Sequence, residues 1–293
     1  MNINKIIFFI TILSILAKSA MASNEKFLTQ FTFFAGDKKA SYYAVASGIC
    51  NVFNKYHLVK GFECVAIESK GSEDNLKLLA NEEADLGVIK TLDFNKSFIK
   101  NAEILQNKTQ FVAKIYDENL TILTRKNIGI KNLSDVNNKI VNIGGIGSTS
   151  ALIIEKYFSQ YSIKPQKIVN FGASEAFKQL CGNKIDSAID VWVYFIGHPN
   201  DGYKQALQEC DLELIALNDN EINNFLKISP FLKPGNITEN IYPQIYKNIK
   251  TISSSTIIAS RPNFNPEIVS LIQDILINRK AELIKENQIF KSF

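Results

Sequence analysis

QFVAKIYDENLTILTRK, residues 110–126, decides how the rest of the chain is read. It holds two apolar runs, Phe111–Tyr116 and Leu120–Thr124, parted only by the polar Asp117-Glu118-Asn119. Two adjoining strands with no helix between them look like a crossing between domains. On the N-terminal side, strand-like and helix-like patterns alternate: strand Phe31–Ala35, helix Ser41–Lys55, strand Phe62–Glu68, helix Asn75–Asn81 and strand Leu86–Ile89. Such a βαβαβ series predicts a parallel sheet covered by helices.

A second α/β series follows the crossing: strand Ile140–Ile143, helix Thr149–Gln160, strand Lys167–Asn170, helix Ser174–Cys181 and strand Ile185–Val191. A further strand, Leu212–Ala216, comes after the segment around Cys210. Beyond the proline-bearing stretch Ser229–Tyr242, Ile249–Ser260 is rich in Thr, Ser and Ile and reads as another strand. It is expected to return to the first domain, because the closing helix Pro266–Asn278 needs a sheet to pack on. The expected division is residues 23–120 with 246–293 as one lobe and 121–245 as the other. Two α/β lobes joined by extended crossings make a cleft, and small ligands bind in such clefts. The simplest function for this architecture is a solute receptor that closes on its ligand.

The start of the chain speaks to compartment. MNINKIIFFITILSILAKSAMA has one lysine, Lys5, ahead of the apolar run Ile6–Ala17 and ends in Ala20-Met21-Ala22. This is a secretory signal peptide over residues 1–22, too short for a comfortable membrane span, so a periplasmic address is expected rather than an uncleaved anchor. The chain's net charge is +4, and removing Lys5 and Lys18 with the acid-free leader leaves +2. So small and evenly spread a charge gives no reason to expect nucleic acid.

Four cysteines remain: Cys50, Cys64, Cys181 and Cys210. In an oxidising compartment they suggest two disulfides, for which three connectivities exist. The expected pairs are Cys50 with Cys64 and Cys181 with Cys210, since each joins a helix to the next strand or connection. No cysteine pair has zinc-ligand spacing, and His57 and His198 stand alone, so neither metal nor cofactor is expected.

In open α/β sheets, ligands lie outside the carboxyl ends of the strands, and three turns meet that description. The first, AGDKKASYYAVASGIC, opens a helix near Ser41, whose hydroxyl suits a cap or a ligand; Tyr42 and Tyr43 stand in its first turn. The second, ESKGSEDNLKLL, places Gly71-Ser72 at a helix start, with Asn75 completing an ordinary cap pattern. The third, VNIGGIGSTSALIIEKYF (141–158), is a strand, a glycine-rich turn and a helix. Gly144, Gly145 and Gly147 permit the turn, and Ser148, Thr149 and Ser150 put hydroxyls and amides at a helix N-terminus, where an anion is stabilised. The loop lacks the lysine of GxxxxGK[ST] and the third glycine of a dinucleotide fingerprint, so a ligand carboxylate fits better than a nucleotide. Ser148 or Ser72 with His198 and Asp186 or Asp190 makes a hydrolase triad only on paper, because neither serine sits in a GxSxG elbow. Trp192 reads as a core residue.

Taken together, YYAVASGICNVFN, GSEDNLKLLANEEADLGV, VNIGGIGSTS and KQLCGNKIDSAIDVWVYFIGHPN resemble the TAXI family of solute receptors, which serve TRAP-type secondary transporters. The resemblance runs from about Phe31 to the end of the closing helix. It implies a two-lobe periplasmic binding-protein fold of the type II kind, no catalysis, a monomer, a small organic acid such as glutamate or glutamine as ligand, and a membrane permease as partner. The family tyrosine falls on Tyr43 or Tyr42, its Gly-Ser turn on Gly71-Ser72, and its glycine-serine loop on Gly145, Gly147, Ser148 and Thr149. The GHPN segment brings His198 toward the ligand, and Cys210 matches a subgroup pattern that supports its pairing with Cys181. The chain departs from the family at Asp37-Lys38-Lys39, which replaces glycines, at Lys90-Thr91-Leu92 after the third strand, and at Lys70 before the Gly-Ser turn. Lys70 and Lys90 both follow first-lobe strands, so they are expected to add positive charge to the cleft and favour an acidic amino acid or a dicarboxylate such as 2-oxoglutarate. The alternative is an immunogenic or adhesive surface protein that kept the fold and lost the ligand.

Overall fold

A computed structural model of the protein describes residues 29–38, 40–95, 100–126, 128–182, 189–197, 210–238 and 248–292. The leader, His198 and most of the Ile185–Val191 segment lie outside them. The first lobe opens with β1 (Thr29–Phe34), α1 (Ser41–Lys55), β2 (Phe62–Ile67), α2 (Ser72–Ala80) and β3 (Leu86–Lys90). β1 pairs in parallel with both β2 and β3, as the alternating series requires. β3 is buried along its whole length, which is why LGVIK shows no polar alternation. A 3-10 turn, Thr91–Phe94, and the short helix α3 (Ala102–Asn107) lead to the crossing.

That crossing is one strand rather than two: β4 runs without interruption from Gln110 to Arg125. The polar triplet does not break it, because β10 (Ile249–Ser260) lies antiparallel alongside and sets Ser255, Ser254 and Ser253 opposite Asp117, Glu118 and Asn119. Hydroxyls satisfy the triplet: the Ser255 Oγ donates to Asp117 at 3.0 Å, the Ser253 Oγ to Asn119 at 2.6 Å, and the Thr256 Oγ1 to Glu118 at 3.1 Å. Buried polar residues stay in a strand when each finds a partner.

The second lobe contains β5 (Ile140–Asn142), α4 (Thr149–Gln160), β6 (Lys167–Val169), α5 (Ala173–Cys181), β7 (Val191–Ile196) and β8 (Leu212–Leu214). β7 starts where the expected Ile185–Val191 strand was to end, and it pairs antiparallel with β4 and parallel with β5. Its two faces pack separately: Val191, Val193 and Phe195 join a core with Val141, Ile143, Ile153 and Ile154, whereas Trp192 joins Phe177, Leu180 and Leu123. The helix α6 (Asp219–Ile228) is entered through a capping box of Asn218 and Glu221. β9 (Lys233–Ile237) was concealed by Pro234 and Gly235. Proline is tolerated there because β9 is an edge strand paired only with β10, and glycine is required because a Cβ at 235 would fall 1.8 Å from the Ser253 Oγ.

The full strand order is β2-β1-β3-β10-β4-β7-β5-β6, with β8 on β4 and β9 on β10. One continuous mixed sheet therefore serves both lobes, and β4 and β10 are the two strands that pass between them. The helix α7 (Pro266–Asn278) returns to the first lobe: Ile268, Ile272 and Ile275 pack with Phe31 and Phe33 of β1 and Ile49 and Phe53 of α1. The last helix, α8 (Lys280–Glu286), adds Leu283 to the same core. Both expected disulfides are formed, Cys50 with Cys64 and Cys181 with Cys210, with Cα separations of 4.9 and 5.5 Å.

Candidate functional site

The carboxyl ends of β1, β2 and β3 face the β5–α4 loop and the end of β7 across a cavity of about 950 Å³, large enough for a small organic solute. Of the residues picked from sequence, Ser41, Tyr42, Lys70, Gly71, Ser72, Lys90, Gly145, Gly147, Ser148 and Thr149 line it. Tyr43 does not: one residue further round α1, its ring packs against the first-lobe core. Of the two, Tyr42 walls the cavity while also packing against that core.

The glycine loop is built as its sequence implies. Gly144 and Gly147 adopt positive φ, +85° and +74°, and a Cβ at 144 would sit 2.4 Å from the Tyr194 ring. Ser148 is the N-cap of α4, and its Oγ accepts from the Ala151 amide at 3.2 Å. Among the described residues the Thr149 and Ser150 amides, next in the helix, donate to no protein acceptor. These orphan donors at the positive end of a 12-residue helix form an anion cradle.

The second expected grip has a different fate. Gly71 takes φ +113° at the start of α2, a conformation suited to glycine, but the Ser72 hydroxyl is used within the protein. It accepts from the Lys90 amide at 2.6 Å and hydrogen-bonds the Asp93 carboxylate. The same carboxylate accepts from the Thr149 hydroxyl across the cleft. The Ser72 and Thr149 hydroxyls, both among the residues expected at the ligand, thus hold the protein's own Asp93. Asn75 makes no cap; its side-chain amide donates to Ala35 O and Val88 O, both at 2.8 Å, and ties the ends of β1 and β3 beneath the cavity.

Lys90 faces the cavity but is not spare charge. Its ammonium lies 2.6 Å from the Glu118 carboxylate and donates to the Ser150 Oγ at 3.1 Å. Burial works to lower its pKa, and Glu118, Tyr194 and Asp93 together outweigh that, holding Lys90 well above the ordinary lysine value. Glu118 also accepts from the Tyr42 hydroxyl at 2.7 Å and from Thr256. Burial and the Glu118 charge push the Tyr42 phenol up, so it stays a neutral donor. Asp93 is only 4% exposed, and burial raises its carboxyl above the usual range against the pull of Lys90, Ser72 and Thr149. Lys70 stays exposed at the rim. Trp192 joins core and cavity wall at once, edge-on to Phe177 with ring centroids 4.8 Å apart.

Asp93 and Glu118 are the site residues that sequence reading missed. Glu118 carries a signal, being a carboxylate inside a long apolar stretch, but the sequence reading makes it part of the polar break between two adjoining strands. Asp93 carries none.

Solved structures share this architecture at low identity. A chain from Xanthomonas citri, XAC2383 bound to ATP, matches with a TM-score of 0.55 and 9% identity over 90% of this chain and 88% of its own. The periplasmic aliphatic sulphonate binding protein SsuA from Escherichia coli matches with a TM-score of 0.53 and 12% identity over 89% of this chain and 77% of its own. A putative periplasmic sulfonate-binding protein SsuA from Methylobacillus flagellatus KT matches with a TM-score of 0.50 and 16% identity over 89% and 68%. At such identities they speak for the two-lobe fold. The family model described as NMT1-like matches residues 34–292, nearly the whole described chain, and the protein belongs to the NMT1-like family.

Proposed function

We propose that the protein is an extracytoplasmic, periplasmic solute receptor that binds a small organic acid between its lobes and delivers it to a TRAP-type membrane transporter. The ligand class is an acidic amino acid or a dicarboxylate, such as glutamate or 2-oxoglutarate. The observation that carries this reading is the inter-lobe cavity of about 950 Å³ with the unclaimed Thr149 and Ser150 amides at the head of α4. Structural similarity to periplasmic sulfonate-binding proteins and two disulfides suited to an oxidising compartment support it. In this reading residues 23–120 with 246–293 form one lobe and 121–245 the other, and the ligand contacts both better when they close.

The anionic group of the ligand is placed at the head of α4, near Gly145, Gly147 and Ser148. Tyr42 and Ser41 wall the opposite side. A thermal-shift screen of the mature, oxidised protein against amino acids, C4 and C5 dicarboxylates, keto acids, phosphate and nucleotides tests the reading. One organic acid class is expected to raise Tm strongly, because a ligand at 100 times its Kd stabilises by about 2.7 kcal/mol. A flat response across the panel refutes it and leaves the ligand-free surface protein.

A further inference from the structure

We propose that Asp93 sets the charge of the ligand: the cleft favours an organic acid that carries a hydrogen-bond-donating, cationic group beside its anionic one, and disfavours the same acid without that group. This rests on the receptor reading and narrows it.

Three acidic or basic side chains are buried in the described cavity wall: Lys90, Glu118 and Asp93. Lys90 and Glu118 satisfy each other at 2.6 Å, and both are anchored further, Lys90 to Ser150 and Glu118 to Tyr42 and Thr256. That leaves Asp93, which has no salt-bridge partner among the described residues. It accepts from Ser72 and Thr149, whereas an ionised carboxylate offers about four lone-pair sites. Acceptor capacity therefore remains on a carboxylate that lines the cavity.

Thr149 links the two halves of the recognition. Its backbone amide belongs to the helix N-terminus that cradles an anion, and its hydroxyl is bonded to Asp93. A ligand anion at that helix accordingly has Asp93 close by. A second carboxylate at this point meets like charge in a poorly solvated wall, which is strongly unfavourable. An ammonium there gains a charge-assisted hydrogen bond, and it gives the buried Asp93 carboxylate a direct ionic partner beyond the pull of Lys90, whose own contact is with Glu118. Lys90 offers no rescue to a dianion, because Glu118 already neutralises it. The expected lysine-favoured dicarboxylate site is thereby replaced by one that wants mixed charge.

Isothermal titration of the mature, oxidised protein with matched pairs tests this: L-glutamate against glutarate, and L-aspartate against succinate. The wild type is expected to bind the better amine-bearing member at least tenfold tighter than its amine-free partner. Asp93→Asn keeps the shape and an oxygen acceptor for Thr149, and should shrink that ratio to within about threefold, mainly by weakening the amine-bearing member, as expected for the loss of a charged hydrogen bond. A change in fold stability alone would shift both members together and leave the ratio intact. Equal affinities within wild-type pairs, or an unchanged ratio in a folded Asp93→Asn protein, overturn the role of Asp93 and leave the receptor standing. The wild-type ratio decides the matter even if the variant does not fold. Silence toward all four acids in a folded wild-type protein, together with a flat thermal-shift panel, removes the receptor reading itself.

Discussion

The two glycine-serine turns of the cleft look alike in sequence and serve differently. Gly71-Ser72 and Gly147-Ser148 each follow a strand and open a helix, and each glycine takes a positive φ. At the first, the serine hydroxyl is consumed by the Lys90 amide and Asp93, so the turn braces the cavity wall. At the second, the serine caps its own helix, and the next two amides donate to no protein acceptor among the described residues. A glycine-serine turn before a helix offers donors, and the neighbouring chain decides whether they are already taken.

Four sets of perturbations sharpen or break that contrast. The largest effect is expected from Glu118→Ala, which strips Lys90 of its partner on the braced side and should cost about 3–5 kcal/mol, as for other broken buried pairs. Denaturant unfolding measures it, and a loss under about 1 kcal/mol would show that the wall does not depend on this pair.

Next come the glycines. Gly144→Ala drives a Cβ to 2.4 Å from the Tyr194 ring in a left-handed conformation, and about 2–5 kcal/mol is expected from strain and overpacking together. Gly71→Ala meets open space and bears only the backbone strain, about 1–3 kcal/mol. Equal losses from the two would mean that the Tyr194 contact is soft.

The serines follow. Ser72→Ala orphans the Lys90 amide and removes one of the two hydroxyls bonded to buried Asp93, and is expected to cost about 1–3 kcal/mol. Ser148→Ala removes a helix cap, worth about 1 kcal/mol. The reverse order, read from urea midpoints, would break the distinction between brace and cradle.

The smallest effects are in pH dependence. Asp93 has its folded pKa raised, chiefly by burial, so its contribution is fully present below its unfolded value near 3.8 and fades as pH rises through the folded value. Asp93→Asn is therefore expected to raise Tm at pH 7 relative to wild type, with the gain shrinking toward pH 4. Asp117 behaves oppositely. Burial pushes it up, but hydrogen bonds from Lys233, Lys114 and Ser255 outweigh that, so its contribution holds above the unfolded value and is lost as pH falls through the folded one. An Asp93→Asn protein less stable than wild type at pH 7 would mean that the charge is worth more to the fold than its burial costs.

Much of the fold was legible where local pattern and packing agree. α1, α4, β10 and α7 begin and end where capping residues and periodicity place them. Reading failed where a distant strand overrode local chemistry. Asp117-Glu118-Asn119 looked like a break because its partners, three serines on β10, lie more than 130 residues away. β9 was hidden because proline and glycine argue against a strand unless it is an edge strand lying close over Ser253. Within the site, Tyr42 and Tyr43 are equivalent in sequence; both pack against the first-lobe core, and only the setting of α1 brings Tyr42 to the cavity as well.

The sequence by itself determined the alternating α/β halves, the crossing at residues 110–126 and the three cleft turns, because each depends on residues near one another; it suggested the disulfide pairs, which the structure forms. The tertiary structure alone decided which charges are spent. Lys90 meets Glu118 and Ser150, and Asp93 meets Thr149, only after β4 carries the chain from one lobe to the other. Electrostatic character depends on what stands within a few ångströms of a charge in a poorly solvated wall, and no local pattern in the sequence encodes that distance.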